Sequence, residues 1–164
     1  MIIRPATAKD EDAIWQILEP VLREGQTYAL AQDLSRANAL AYWLGPGKQT
    51  FVALDGGKIV GTYYLRANQQ GGGAHVANCG YVTAAAARGK GVARQMCLHS
   101  LAAARRSDFL AMQFNLVVST NEGAIRLWKS LGFEVVGRLP GAFRHPKLGY
   151  VDAFVMYRSL VAAT

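Results

Sequence analysis

The spacing of apolar residues alternates between a helical and a strand period, and the points where it changes outline the elements. Ile2 and Ile3 open a short strand. Thr7 with Asp10 three residues on makes a start of capping-box type, behind which Ala13, Ile14, Ile17, Leu18, Val21 and Leu22 line one helical face. Pro20 falls inside this face and, lacking an N–H, predicts a kink or an early end. Ser35 is placed to cap a shorter helix through Leu40, Tyr42, Trp43 and Leu44, stopped by Gly45 and Pro46. In TFVALDGGKIVGTYYLRA the period falls to two, and Asp55, Gly56 and Gly57 supply a hairpin turn. Glycines 71 to 73 predict an exposed bend before HVANCGYVT, a further long strand. Its Asn78 and Gly80 are poor strand formers and predict a bulge or splay, with an ordinary weak strand as the alternative.

RGKGVARQM then opens a helix that turns Cys97, Leu98, Leu101 and Ala102 inward. LAMQFNLVV reads as a buried strand, NEGAIRLWKSL as a helix ended by Gly132, FEVVGRL as a strand and YVDAFVMYRSL as a last alternating strand. The order β α α β β β α β α β β has neither repeat nor linker. It predicts one α+β domain over residues 1–164, a mixed, mostly antiparallel sheet flanked by helices.

Composition narrows the class. A chain of 164 residues, 51% of them hydrophobic, can bury one sizeable core. The start MIIRPATAKDEDAIW carries no apolar signal run, and no stretch approaches the roughly 18 uninterrupted apolar residues of a membrane span, so a soluble, cytoplasmic protein is expected. Cys79 and Cys97 lack ligand spacing and predict buried free thiols, with no disulfide framework and no metal site. A nucleophilic cysteine paired with His75, His99 or His145 is the alternative, though no local signature links them.

The net charge of +7 is unevenly placed: residues 1–70 hold seven Lys/Arg and seven Asp/Glu, residues 71–164 eleven and four. These cations stand singly or in pairs such as Arg105 and Arg106, whereas a duplex-binding surface shows dense basic runs. A small polyanion is therefore favoured over nucleic acid.

Arg88, Gly89, Lys90, Gly91, Val92 and Ala93 follow a strand and open a helix, where unpaired N–H groups and the macrodipole suit a phosphate. Gly89 and Gly91 permit close approach, Ala93 leaves room, and Arg88 and Lys90 add charge; a ligand-free glycine turn is the plain alternative. A Walker A loop needs Ser or Thr where Gly91 stands. A dinucleotide fingerprint needs glycine at Arg94 and an acid ending the next strand, and Asp108 precedes that strand.

The pattern Arg88, two residues, Gly91, one residue, Ala93 resembles the pyrophosphate motif of GCN5-related N-acetyltransferases, and NEGAIRLWKSLGF is similar to their second signature. The resemblance implies a sheet whose fourth and fifth strands splay around acetyl-coenzyme A, its pyrophosphate on the Gly-rich helix start. It implies that Tyr81, Val82 and Thr83 hydrogen-bond the pantetheine arm, that Asn121 binds the arm near the thioester, and that the Tyr81 N–H serves as oxyanion donor. For Asn121 helix capping is the other role. Many members place a tyrosine where Trp128 stands; an indole N–H does not titrate, so Trp128 is expected to pack beside the arm.

A narrower resemblance, in HVANCGY, FNLVVSTN and LWKSLGFEVVGRLPG through YVDA, is to acetyltransferases of proline analogues such as azetidine-2-carboxylate. It implies that Asn78 and Asn115 orient the acceptor; local backbone hydrogen bonding is the alternative for each. Glu24, Thr27 and Tyr28 fall in the acceptor loop by the same resemblance, or in ordinary loop. Residues 137–152 are expected to form a loop on the other side, with Arg144 and His145 as carboxylate attractors or as a solvated face. His75, Glu24 or a water held by the asparagines would accept the proton.

The sequence thus points to an acetyl-coenzyme A dependent N-acetyltransferase for a small amine, an amino or imino acid first, with no metal, nucleic acid or membrane partner, and with a homodimer as the assembly to test. The alternatives are acetylation of a protein amine, a non-catalytic acetyl-coenzyme A binding module, and an RNA-associated protein.

Overall fold

Seven strands make one continuous sheet in the computed structural model, which describes residues 1–161. Residues 162–164, the end of the domain expected over 1–164, lie outside the described residues. The strands are β1 (Ile2–Pro5), β2 (Gln49–Asp55), β3 (Lys58–Ala67), β4 (Val76–Thr83), β5 (Ala111–Val118), β6 (Glu134–His145) and β7 (Gly149–Ser159), in the order β1-β2-β3-β4-β5-β7-β6. The helices are α1 (Glu11–Glu24), α2 (Arg36–Trp43), α3 (Val92–Arg106) and α4 (Glu122–Ser130). All neighbouring strands are antiparallel except β4 and β5, which run parallel and pair only at Val76–Ala111 and Ala77–Met112. This is the expected α+β sheet, mostly antiparallel, with its fourth and fifth strands splayed.

Alternation along the strands divides the core in two. Consecutive side chains leave a strand on opposite faces, so Tyr64 joins Ile14, Leu18, Trp43, Val52 and Val82 beneath α1 and α2, while Tyr63 joins Met96, Met112, Trp128 and Phe133 beneath α3 and α4. Each large side chain so buried contributes roughly 1.5–3 kcal/mol by leaving water. Leu98, expected inward, is instead exposed on α3.

Two further expectations need correction. Pro20 does not shorten α1, which runs to Glu24 and is closed by Gly25 in the left-handed region at φ 62°. Pro20 and Gln16 both face solvent, so water can satisfy the carbonyl that the missing N–H would have bonded. Nor is 137–152 a loop: β6 and β7 form a long hairpin, turning only between His145 and Gly149. As the sheet edge, β6 tolerates Pro140, and register shifts between Val135 and Gly137 and between Leu139 and Phe143 absorb its irregular residues.

Asp10 fastens the N-terminus. Its buried carboxylate accepts from the Arg4 guanidinium at 2.7 and 2.9 Å and from the Thr7 N–H at 2.7 Å. Arg4 first, then Thr7, holds the carboxyl well below the usual carboxylate range against the opposing effect of burial. Asp10→Asn is expected to cost about 2 kcal/mol at neutral pH. Because the folded carboxyl is the stronger acid, that stability is present above about pH 4, the unfolded value, and fades on acidification below it. Urea unfolding of both proteins from pH 7 to pH 3 should show the gap closing; a gap independent of pH would contradict the assignment.

Candidate active site

The register of β4 decides which of its backbone groups are spare. Asn68 N–H donates to Val76 O at 2.7 Å and Ala84 N–H to Val60 O at 2.9 Å, so the even-numbered residues of β4 bond to β3. Cys79, Tyr81 and Thr83 therefore aim their N–H and C=O groups at the opposite edge, beyond the last rung shared with β5. Tyr81 and Thr83 thus lie on the open edge as expected, but Val82 does not: its backbone faces β3, although the residue lines the cleft.

Asn78 stands at the branch point. Its side-chain amide donates to the Gln113 carbonyl at 3.0 Å, taking the acceptor that the next rung of the ladder would have used, and its Oδ1 accepts from Arg66 Nε at 3.4 Å. Gly80 makes room for Tyr64, since a Cβ there would lie 2.6 Å from the tyrosine ring. The weak strand formers seen in the sequence thus mark the fork.

Below the fork the chain passes through Arg88 to Gly91 and enters α3 at Val92, four residues later than the RGKG reading put the helix start. Gly89 and Gly91 have φ of 76° and 77°, the left-handed region that glycine enters without strain. The first helical bond runs from Gln95 N–H to Gly91 O, which leaves the N–H groups of Val92, Ala93 and Arg94 without backbone acceptors, and those of Gly89 and Gly91 likewise. Lys90 differs: it is exposed, does not line the cleft, and its N–H bonds to Ala87 O at 3.3 Å. Arg94, which sequence reasoning did not single out, does line the cleft and donates to Ser130 Oγ at 3.1 Å.

Fork and helix start open into one cleft of about 920 Å³. Asn121 and Trp128 line its α4 side. Asn121 Oδ1 caps α4 by accepting from Ala124 N–H at 3.3 Å, with its NH2 group left over. The Trp128 ring packs 5.1 Å from Tyr81 and 5.2 Å from Phe114. Its indole N–H makes no hydrogen bond among the described residues. The Tyr81 phenol points the other way, sharing a hydrogen bond of 2.6 Å with Ser100, and burial pushes it well above its ordinary value. Tyr81 therefore presents its backbone, not its phenol, to the open edge. Burial likewise pushes the Cys79 thiol up to about 12 and the Cys97 thiol up to about 11, which leaves neither as a nucleophile.

On the opposite side the segment after α1 covers the fork. Glu24, Thr27 and Tyr28 all line the cleft. Tyr28 is latched, donating to the Tyr81 carbonyl at 2.9 Å, while Glu24 lies 3.9 Å from Arg88. Asn115 also lines the cleft, but its amide donates to Asn68 at 2.6 Å and accepts from Gln113 at 2.9 Å. His75 is exposed before β4 and outside the lining, which removes it as a proton acceptor there. His145 is buried, its Nδ1 accepting from the Lys147 and Leu148 N–H groups, so it shapes the β6–β7 turn instead of attracting a carboxylate; Arg144 is carried on the same hairpin, opposite Tyr150. Tyr42, Tyr64 and Arg66 also line the cleft and were not singled out from sequence. The signal was present in TYYLRA, whose alternation sends Tyr64 and Arg66 to one face. Among the described residues no three His, Cys, Asp or Glu side chains converge as metal ligands, and no helix is long and apolar enough to cross a membrane.

Known proteins share this fold. The model of the acetyltransferase (GNAT) family matches residues 12–133. The N-acetyltransferase aca1 of Schizosaccharomyces pombe is 36% identical over 98 residues, 59% of this chain and 47% of that protein, so the chain spans about half the length of this curated relative. A solved GCN5-related N-acetyltransferase from Kribbella flavida superposes with a TM-score of 0.92 at 42% identity, over 96% of both chains. A GNAT superfamily phosphinothricin acetyltransferase from Sinorhizobium meliloti, solved in complex with AcCoA, has the same fold, with a TM-score of 0.85 at 24% identity over 99% of this chain and 90% of that one.

Proposed function

The chain belongs to the acetyltransferase (GNAT) family, and from that premise we propose that it moves the acetyl group of acetyl-coenzyme A to the amine of a small molecule, an amino or imino acid. The observation that carries this is the continuity of one cleft from the open β4 edge to the bare N–H groups of the α3 start. The first is a row of amide donors and acceptors, suited to an amide-rich arm, and the second suits a pyrophosphate. The resemblance to acetyltransferases of proline analogues supports the acceptor class.

Bound acetyl-coenzyme A supplies the activated thioester and a thiolate leaving group. The protein supplies placement. Tyr81 and Thr83 hold the arm through backbone groups, and the free N–H groups of Gly91, Val92, Ala93 and Arg94, with the Arg88 side chain, receive the phosphates. The Tyr81 N–H faces the fork, where charge would develop on the thioester oxygen. Its carbonyl is already engaged by Tyr28, which fixes the strand at that point. Asn78 Oδ1 keeps a lone pair for the amine beyond its contact with Arg66. Burial keeps the phenols of Tyr28, Tyr64 and Tyr81 protonated and Glu24, the one carboxylate lining the cleft, is turned to Arg88, so the amine proton leaves to water at Asn78. Asn121, the α4 start that it caps and water steady the thiolate, whose acid has a pKa of roughly 8.5 in water.

On this account Trp128 packs and does not titrate. Trp128→Phe is expected to lower kcat less than about tenfold, below the 10² to 10⁴ typical of a lost general acid, and to leave any basic limb of the pH–rate profile in place. A loss of 10² or more in a folded variant with normal coenzyme A affinity would give the indole N–H a part in the chemistry. The acceptor class is tested by thiol release across free amino and imino acids, simple amines and peptides. Turnover confined to peptides would move the function to a protein amine.

A further inference from the structure

We propose that Arg66, backed by Lys48, is the seat for a carboxylate of the acceptor, and that it restricts the acceptor to amines carrying a carboxylate on the adjacent carbon. The inference rests on reading the cleft as an acetyl-transfer site. Arg66 sits opposite Asn78 in the β3–β4 register, at the fork, and its Nε contact with Asn78 leaves both terminal nitrogens unused. Lys48 stands behind it: its ammonium donates to the Tyr42 carbonyl, lies 3.7 Å from the centroid of the Tyr42 ring and 4.9 Å from that of Tyr64, and the Arg66 guanidinium lies 5.9 Å from the same Tyr64 ring.

Two cations thus share one aromatic wall, and among the described residues no carboxylate lies within ion-pairing distance of either. Their proximity is felt. Lys48 is pushed down to about 8, by burial first and then by the charge of Arg66. The one carboxylate lining the cleft, Glu24, is turned to Arg88 at the end where the phosphates would lie. Aromatic faces soften the repulsion between two cations but do not neutralise it, so an anion entering the fork meets a favourable, uncompensated field. The geometry also selects which anion. The Arg66 donors and the Asn78 Oδ1 acceptor are joined by a 3.4 Å contact, so they present a carboxylate seat directly beside an amine acceptor. That pairing matches the nitrogen and carboxylate of an α-amino or imino acid, whereas a simple amine fills only half of it.

The test compares matched acceptors: the free amino acids and azetidine-2-carboxylate, each against its own carboxamide, with wild type, Arg66→Gln and Arg66→Lys. Wild type should favour carboxylates in kcat/KM by roughly 10² or more, the scale of a charge-assisted, two-pronged hydrogen bond. Arg66→Gln should lose most of that preference by raising KM for the acids while leaving the carboxamides within about threefold, and Arg66→Lys should recover part of it. Equal losses for acids and carboxamides, or a wild type indifferent to the carboxylate, would overturn the proposal. A binding readout separates it from the transfer reading: calorimetry of the same acids with the coenzyme A-bound protein needs no turnover. Binding that Arg66→Gln abolishes upholds the seat even if no thiol is ever released, and an absence of binding by every acid removes it.

Discussion

Gly91→Glu is expected to abolish coenzyme A binding, lowering affinity by at least about 10²-fold, while the protein stays folded. Gly91 caps α3 at φ 77°, and a Cβ there meets nothing within 4 Å, so the substitution carries backbone strain of roughly 1–2 kcal/mol but no clash. Its carboxylate, however, arrives where the N–H groups of Val92, Ala93 and Arg94 stand bare and the helix dipole is positive. It competes with a phosphate for the same donors and repels it. Gly91→Ala carries the strain without the charge and should retain most of the affinity. Calorimetry on both variants, with thermal melts as the folding check, decides the matter. A folded Gly91→Glu protein of undiminished affinity would remove the phosphate site from α3.

Asn78→Ala should reduce kcat/KM for the best amine by about 2 kcal/mol or more, roughly thirtyfold, with coenzyme A affinity within about threefold of wild type. Two losses combine. The amine loses the Oδ1 lone pair, and the Gln113 carbonyl loses the donor that closes the fork. Asn78→Asp separates them, since a carboxylate still accepts from Arg66 and from the amine but cannot donate to Gln113. Asn115→Ala should cost less, because Asn115 is exposed and its amide is held by Asn68 and Gln113. An Asn78→Ala enzyme at wild-type kcat/KM would show that the acceptor is oriented elsewhere.

The order of elements was legible because apolar periodicity reports which face of each element is buried, and here most elements bury one face. The fork was legible in Asn78 and Gly80, since a strand tolerates such residues where its pairing ends. The far half of β6 was not. The strand legible in FEVVGRL reaches only Leu139, beyond which Phe143 and His145 are the buried residues of β6, so no alternation marks it, and Pro140 and Gly141 imitate a loop. The RGKG stretch predicts an α3 start four residues too early, because charge and glycine content identify an anion site without saying where the helical hydrogen bonds begin. Arg66 and Lys48 escaped notice for a different reason. Each is ordinary where it stands in the sequence, and only the pairing of β2 with β3, which sets Gln49 opposite Leu65, and the packing of Tyr42 against Tyr64 bring the two cations together.

Amine-dependent release of free thiol from acetyl-coenzyme A, followed together with the mass of the amine product, tests the central claim most directly. The account predicts thiol release that rises with the concentration of an amino or imino acid, matched by a product heavier by one acetyl group, and both signals lost in Gly91→Glu. Tight coenzyme A binding with no amine-dependent thiol release from any small molecule or peptide would contradict it, and would leave the cleft as a binding site without transfer.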